Sequence, residues 1–232
     1  MNPVLVSAFI YDEKHYQDLD FYISQGNKLL TLDFNKVIFI DERINHHFEK
    51  HINDRNIFIK VRESDLYLYE YIDKLENKTN GNPEKDTNKF FAIMCNKTEW
   101  VRQAIEMNHF NTEHYVWIDF GIFKIFDTNI MIQKLNNKYN AIRIGSIWDI
   151  GTEKNKNLEK EICWYFAGGI FGGHKQKLLF FADAMKHETL NFIKKNNYLI
   201  WEVNLWYIIY KKYGSLFSVY NCNHNISIIN NY

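Results

Sequence analysis

Short apolar runs alternate with amphipathic stretches along almost the whole chain, and this alternation limits the folds open to it. Pro3 to Ile10 reads as a buried strand opening into a polar turn at Tyr11 to Lys14. From Tyr16 to Leu30 apolar residues recur at helical intervals, through Leu19, Tyr22, Ile23, Leu29 and Leu30. Further short strands are expected at Lys36 to Ile40 (ending on Asp41), Ile57 to Val61, Tyr115 to Ile118 and Ala141 to Ile144. Helices are expected at Asn88 to Met107, Leu178 to Lys195 and Ile200 to Lys212. Glu76 to Asn88, with Gly81, Pro83 and many Asn and Lys, reads as a loop, and Lys154 to Glu161 as a charged connection. Strands separated by helices imply an α/β sandwich with a mostly parallel central sheet flanked by helices. Ligand-binding groups then belong at the carboxyl ends of the strands.

Charge and cysteine usage narrow the function. The 232 residues carry 28 basic and 28 acidic side chains, so broad electrostatic binding of nucleic acid is not expected. Hydrophobic residues at 46% suffice for a core and exclude a disordered chain. Cys95, Cys163 and Cys222 are widely spaced with no CxxC pair, which argues against a structural zinc site or a disulfide framework. The apolar run Val4 to Ile10 meets Asp12, Glu13 and Lys14 at once, so it reads as a first strand and not a signal peptide. No apolar stretch approaches the roughly 18 residues of a membrane-spanning helix. A cytoplasmic location is expected.

Five places hold residues suited to chemistry. Tyr115-Val-Trp-Ile-Asp119-Phe-Gly121 delivers a carboxylate at a strand's carboxyl end, where it could hold a divalent metal on phosphate oxygens or simply cap the next turn. Asp-Phe-Gly also occurs in kinases, but His-Arg-Asp and Gly-rich phosphate loops are missing. Tyr165-Phe-Ala-Gly168-Gly169-Ile-Phe-Gly172-Gly173 spends 4 of the 10 glycines on one segment, as close backbone approach to a ligand or a bulged strand would require. Glu202 opens an apolar helix beside Trp201 and Val203; it is either an ordinary helix-start acid or a partly buried functional one. Lys97 falls on the inward stripe of its helix with Phe90, Met94, Val101 and Ile105, where it either snorkels or meets a buried anion. His224 is a surface histidine or a further metal ligand.

Val6-Ser-Ala-Phe, Asn96-Lys-Thr-Glu-Trp-Val, Trp117-Ile-Asp-Phe-Gly-Ile and Ala167-Gly-Gly-Ile-Phe-Gly-Gly together resemble the HtrL/YibB-type glycosyltransferases, from about residue 4 to 212. A fainter similarity connects the glycine segment and Trp201-Glu-Val-Asn-Leu to the histo-blood-group-type retaining glycosyltransferases. The resemblance implies a single GT-A-like domain over residues 1–232, and a glycosyltransferase that takes a nucleotide-sugar donor (a UDP-sugar) and a glycan or small-molecule acceptor. By the same resemblance Asp119 would hold Mn²⁺ or Mg²⁺ with His224, Lys97 would face the diphosphate, and Gly121 would line the donor site. Phe9, Ile10 and Tyr11 would meet the base and ribose. Gly168, Gly169, Gly172, Gly173, Trp201 and Asn204 would line the sugar and acceptor cleft, and Glu202 would be the catalytic carboxylate. Aromatic rings at Phe9, Tyr11, Trp117, Phe120, Tyr165, Phe171 and Trp201 would stand beside that cleft. The sequence departs from the pattern where Gly121 replaces a second Asp, where Trp201 precedes Glu202, and where Asp12-Glu-Lys-His replaces an expected Arg. An inactive GT-A-fold protein that binds a glycan or partner is the alternative. A phosphotransferase is disfavoured, because no Gly-Lys-Ser/Thr loop occurs.

Overall fold

The computed structural model describes residues 2–13, 18–78, 85–126, 132–150 and 156–232. Lys14 of the first turn, Tyr16 of the first expected helix, Gly81 and Pro83 of the loop and Lys154 of the charged connection lie outside these residues. Seven strands form one sheet: β1 (Val4–Phe9), β2 (Lys36–Asp41), β3 (Asn56–Val61), β4 (His114–Ile118), β5 (Ile142–Ser146), β6 (Phe166–His174) and β7 (Phe217–Asn221). Their order is β3-β2-β1-β4-β6-β5-β7. β1 runs parallel to β2 and β4, β2 to β3, and β5 to β7; only β6 is antiparallel to its neighbours β4 and β5. The sheet is therefore mostly parallel, as the alternation implies.

Helices α1 (Leu19–Leu30), α2 (Asn88–Cys95), α3 (Lys97–Met107), α4 (Lys175–Asn196), α5 (Glu202–Tyr213) and the short α6 (Ser227–Asn230) accompany it. Buried side chains fall into two clusters that share the strands between them. In β1, Val4 and Val6 join one cluster and Leu5 and Phe9 the other, the alternation that a strand covered on both faces requires. Trp117 is 2% exposed and stacks on Trp100 of α3, with ring centroids 5.8 Å apart. Burial of such a ring is worth about 2–3 kcal/mol and fixes α3 over β4, the strand that delivers Asp119.

Two elements differ from the sequence reading. The helix expected over Asn88 to Met107 is broken at Asn96, whose N–H is shared between the carbonyls of Ala92 and Ile93 in a tightened turn. The Asn96 carboxamide oxygen accepts from Tyr67 N at 3.2 Å, so a buried side chain serves the loop and not the helix. β7 was not anticipated: it is a half-buried edge strand of five residues with one fully buried side chain, Tyr220, too short for a period of two to stand out. Of the two readings of the glycine segment, the bulged strand is the one formed: it is the antiparallel strand between β4 and β5, with the irregularity on the β5 side between Ile144 and Ser146.

Lys36, at the start of β2, is 1% exposed, and its ammonium donates to Leu32 O, Phe34 O and Asn56 Oδ1 with no carboxylate among these partners. Burial lowers its pKa from 10.5 to about 8. Between those values the unfolded chain keeps this proton while the folded chain sheds it, so the Lys36 contribution to stability grows as pH rises through that window. Urea unfolding of wild type and Lys36→Met at pH 7.5 and 9.5 should show the difference moving in favour of wild type at the higher pH. An unchanged difference would place the lysine in water.

Candidate active site

A cavity of about 320 Å³ opens at the carboxyl ends of β1 and β4, where a parallel sheet gathers ligand-binding groups. Asp119 follows β4 directly. Its N–H donates to Gly169 O at 2.9 Å and its carbonyl accepts from Ile122 N at 3.0 Å, so the turn is pinned to β6. Its carboxylate Oδ1 accepts from Trp117 Nε1 at 2.8 Å and lies 3.1 Å from Lys97 Nζ. The Oδ2 oxygen is 3.5 Å from the same ammonium, and the side chain is 37% exposed, so one oxygen still faces the cavity.

Lys97 opens α3 and is 3% exposed. Its ammonium donates to Glu202 Oε1 at 2.9 Å and Gly168 O at 3.1 Å besides meeting Asp119 Oδ1. Three protons thus meet three acceptors, and the lysine neither snorkels to water nor waits for an anion. Burial alone would pull this lysine down; the Asp119 and Glu202 carboxylates outweigh it, and its pKa is raised. It stays charged at any working pH.

Glu202 sits at the first position of α5, where the helix dipole favours an anion. It is 2% exposed, and its second oxygen, Oε2, has no hydrogen-bond partner. A buried carboxylate oxygen left without a donor is costly, and in a cavity wall it is suited to a ligand hydroxyl or to positive charge developing on a ligand. Gly168 makes this possible: a Cβ there would lie 2.7 Å from Glu202 Oε1 and 3.5 Å from Lys97 Nζ. One glycine of the segment is therefore room for an ion cluster.

The cavity brings together Phe9, Ile10, Lys97, Asp119, Gly121, Gly168, Gly169, Trp201, Glu202 and His224. Of the expected rings it also brings in Trp117 and Phe120, but it leaves out the other expected residues. Gly172 lies where a Cβ would strike Tyr232 Oη and Tyr115 O, so its bareness admits the Tyr232 side chain. Gly173 has φ +147° and a Cβ there would overlap Ala141 O, so it serves the pairing of β6 with β5. Asn204 is fully buried and brackets a loop, accepting from Cys163 N and donating to the carbonyls of Leu158 and Glu161, each at 2.8 Å. Tyr11 is tied to the end of β2: its N–H donates to Asp41 Oδ2 at 3.1 Å, and Arg43 bonds both its carbonyl and Asp41. Burial alone would raise the Asp41 carboxyl, but the Arg43 bonds outweigh it and hold it low. Among the expected rings, Tyr165 stacks on Tyr207 at 3.7 Å and Phe171 packs on Phe181 and Trp206, all away from the cavity.

His224 stands edge-on to Trp164 at 4.4 Å, and partial burial lowers its pKa, leaving a neutral imidazole at pH 7. Among the described residues no group of three or more His, Cys, Asp or Glu side chains could hold a metal ion. Asp119 Oδ2 and the His224 imidazole suit a hard cation only if phosphate oxygens and water complete its shell, as is usual for Mg²⁺. Sequence reasoning missed Lys85, Lys124, Tyr22 and Trp164, which also line the cavity. Lys124 was within reach of it, lying in the same strand-end turn as Asp119; Trp164 carried no signal.

A model of bacterial proteins of unknown function, HtrL_YibB, matches residues 10–225. The chain belongs to the HtrL_YibB family. Among solved structures the chain is similar to the galactosyltransferase LgtC, in complex with donor and acceptor sugar analogs, with a TM-score of 0.53 and 8% identity. That match covers 94% of this chain and 73% of LgtC. No curated protein matches the sequence. This HtrL_YibB chain thus has a GT-A-type glycosyltransferase fold, and at 8% identity the likeness extends to the fold alone. Among the described residues no helix is long and apolar enough to cross a membrane.

Proposed function

We propose that the chain is a glycosyltransferase that moves a sugar from a nucleoside diphosphate donor, a UDP-sugar, to a hydroxyl of a glycan or small acceptor. The observation that carries this reading is the carboxylate of Glu202. It lines the cavity, is buried, is tied by Lys97 to Asp119 at the end of β4, and has one oxygen without a hydrogen-bond partner. In the reaction the bond from the sugar's anomeric carbon to the diphosphate breaks and a bond to the acceptor oxygen forms, while the acceptor hydroxyl passes its proton to the departing diphosphate. Positive charge develops on the sugar ring as the diphosphate leaves, and a fixed carboxylate in a dry wall stabilises it without reorganising. Lys97 holds Glu202 in place, and Phe9 and Phe120, stacked at 5.2 Å, offer an aromatic wall to a base. Mn²⁺ or Mg²⁺ held by Asp119 and His224 would neutralise the departing diphosphate when bound.

Glu202→Gln keeps the shape and removes the charge. It should lower turnover by about a hundredfold or more while leaving nucleotide affinity within a factor of about three, since Glu202 acts on the transition state. Donor hydrolysis paired with UDP calorimetry reads both. Equal turnover in the variant would remove Glu202 from the chemistry. A second reading, an inactive GT-A-fold glycan- or partner-binding protein, is favoured by Gly121 standing where a second Asp is expected. Full cellular function of Asp119→Asn would support it.

A further inference from the structure

The cavity holds three lysines, Lys85, Lys97 and Lys124, and two carboxylates, Asp119 and Glu202. Lys97 is fully engaged by both carboxylates and Gly168 O, so it has no proton left to offer a phosphate. The positive charge still available lies on the other two. Lys124 is exposed on the 3-10 turn Ile122–Lys124 that follows Asp119, and among the described residues no carboxylate pairs with it. Its Nζ lies 5.6 Å from the centroid of the Tyr22 ring, which stacks on Phe9 at 5.8 Å. A base resting on that aromatic wall would bring its phosphates to this ammonium. Lys85 is half-buried just ahead of α2, a helix capped by the Thr87 side chain, and it too has no carboxylate partner among the described residues. The next residue, Asp86, accepts from Trp201 Nε1 at 2.8 Å and anchors that stretch against the wall that carries Glu202.

We infer that Lys124 and Lys85, and not Lys97, receive the diphosphate of the donor. This rests on the cavity being the donor site. The two ammonium groups match the two negative charges of a diphosphate diester, while the Lys97 ammonium is taken up by Asp119, Glu202 and Gly168 O. Lys97 is then a positioning residue, and the ligand class is a nucleoside diphosphate bound by its phosphates as much as by its base.

The test is calorimetry with UDP, GDP and uridine on wild type, Lys124→Ala, Lys85→Ala, the double variant and Lys124→Arg. Each alanine variant should weaken UDP binding about tenfold, the worth of one charge-assisted contact, and the double variant should weaken it further. Uridine binding should not change, because it has no phosphate, and Lys124→Arg should keep most of the affinity. Rising salt should weaken UDP binding by wild type more steeply than by the double variant. Wild-type UDP affinity in both alanine variants would overturn the inference while leaving the donor site standing. Failure of wild type to bind either UDP or GDP would overturn the donor site itself.

Discussion

Replacing Lys97 by methionine should cost the fold about 3–5 kcal/mol, measured by urea or thermal unfolding at pH 7. The methionine fills much of the same space, so the loss comes from charge and not from a cavity. Glu202 is left 2% exposed with both carboxyl oxygens lacking a donor, since Oε2 has none even in wild type. Asp119 suffers less, because its side chain is 37% exposed and keeps the bond from Trp117. The double variant Lys97→Met with Glu202→Gln should therefore recover part of the loss, and the coupling between the two sites should exceed about 1 kcal/mol. A single-variant loss under about 1 kcal/mol would mean that water reaches the pair and that Glu202 is not held by Lys97.

Gly173→Ala should be of similar size for a different reason. Its φ of +147° is a conformation that L residues avoid, and the added methyl would overlap the Ala141 carbonyl across the β6–β5 pairing. Strain and overpacking each cost about 1–3 kcal/mol, and together they should lower the thermal midpoint by roughly 10 °C. Gly214→Ala is the control, because its methyl would lie 3.6 Å from Tyr210 in ordinary contact, and it should unfold within about 1 °C of wild type or above it. Nucleotide affinity of the folded Gly173→Ala protein should be unchanged, since Gly173 does not line the cavity. A parallel loss of affinity and stability would show that β6 transmits strain to Gly168.

These two residues also show what could be read from sequence. Apolar period located the sheet, because strands buried on both faces, such as β1 and β2, write unbroken hydrophobic runs. It failed at β7, where an edge strand leaves only a short half-buried pattern. Asp119 could be read because a strand end is a position that sequence can name. Glu202 stands open in sequence as an ordinary helix-start acid or a partly buried one, and the fold decides for burial, at 2% exposed. The partnership between them could not be read: Lys97 and Glu202 lie 105 residues apart, and only the folded chain closes that distance to 2.9 Å. The glycines divide in the same way. Their clustering announced close approach, but whether the neighbour is a carboxylate, as at Gly168, or the backbone beside β5, as at Gly173 with its φ of +147°, only the fold decides.

The measurement that bears most directly on the proposed function is release of nucleoside diphosphate from a panel of nucleotide sugars, with and without Mn²⁺, by wild type and Glu202→Gln. The account predicts slow hydrolysis of at least one donor by wild type. It also predicts a loss of about a hundredfold or more in Glu202→Gln, with UDP affinity retained. Absence of hydrolysis for every donor, together with no binding of UDP or GDP, would contradict it.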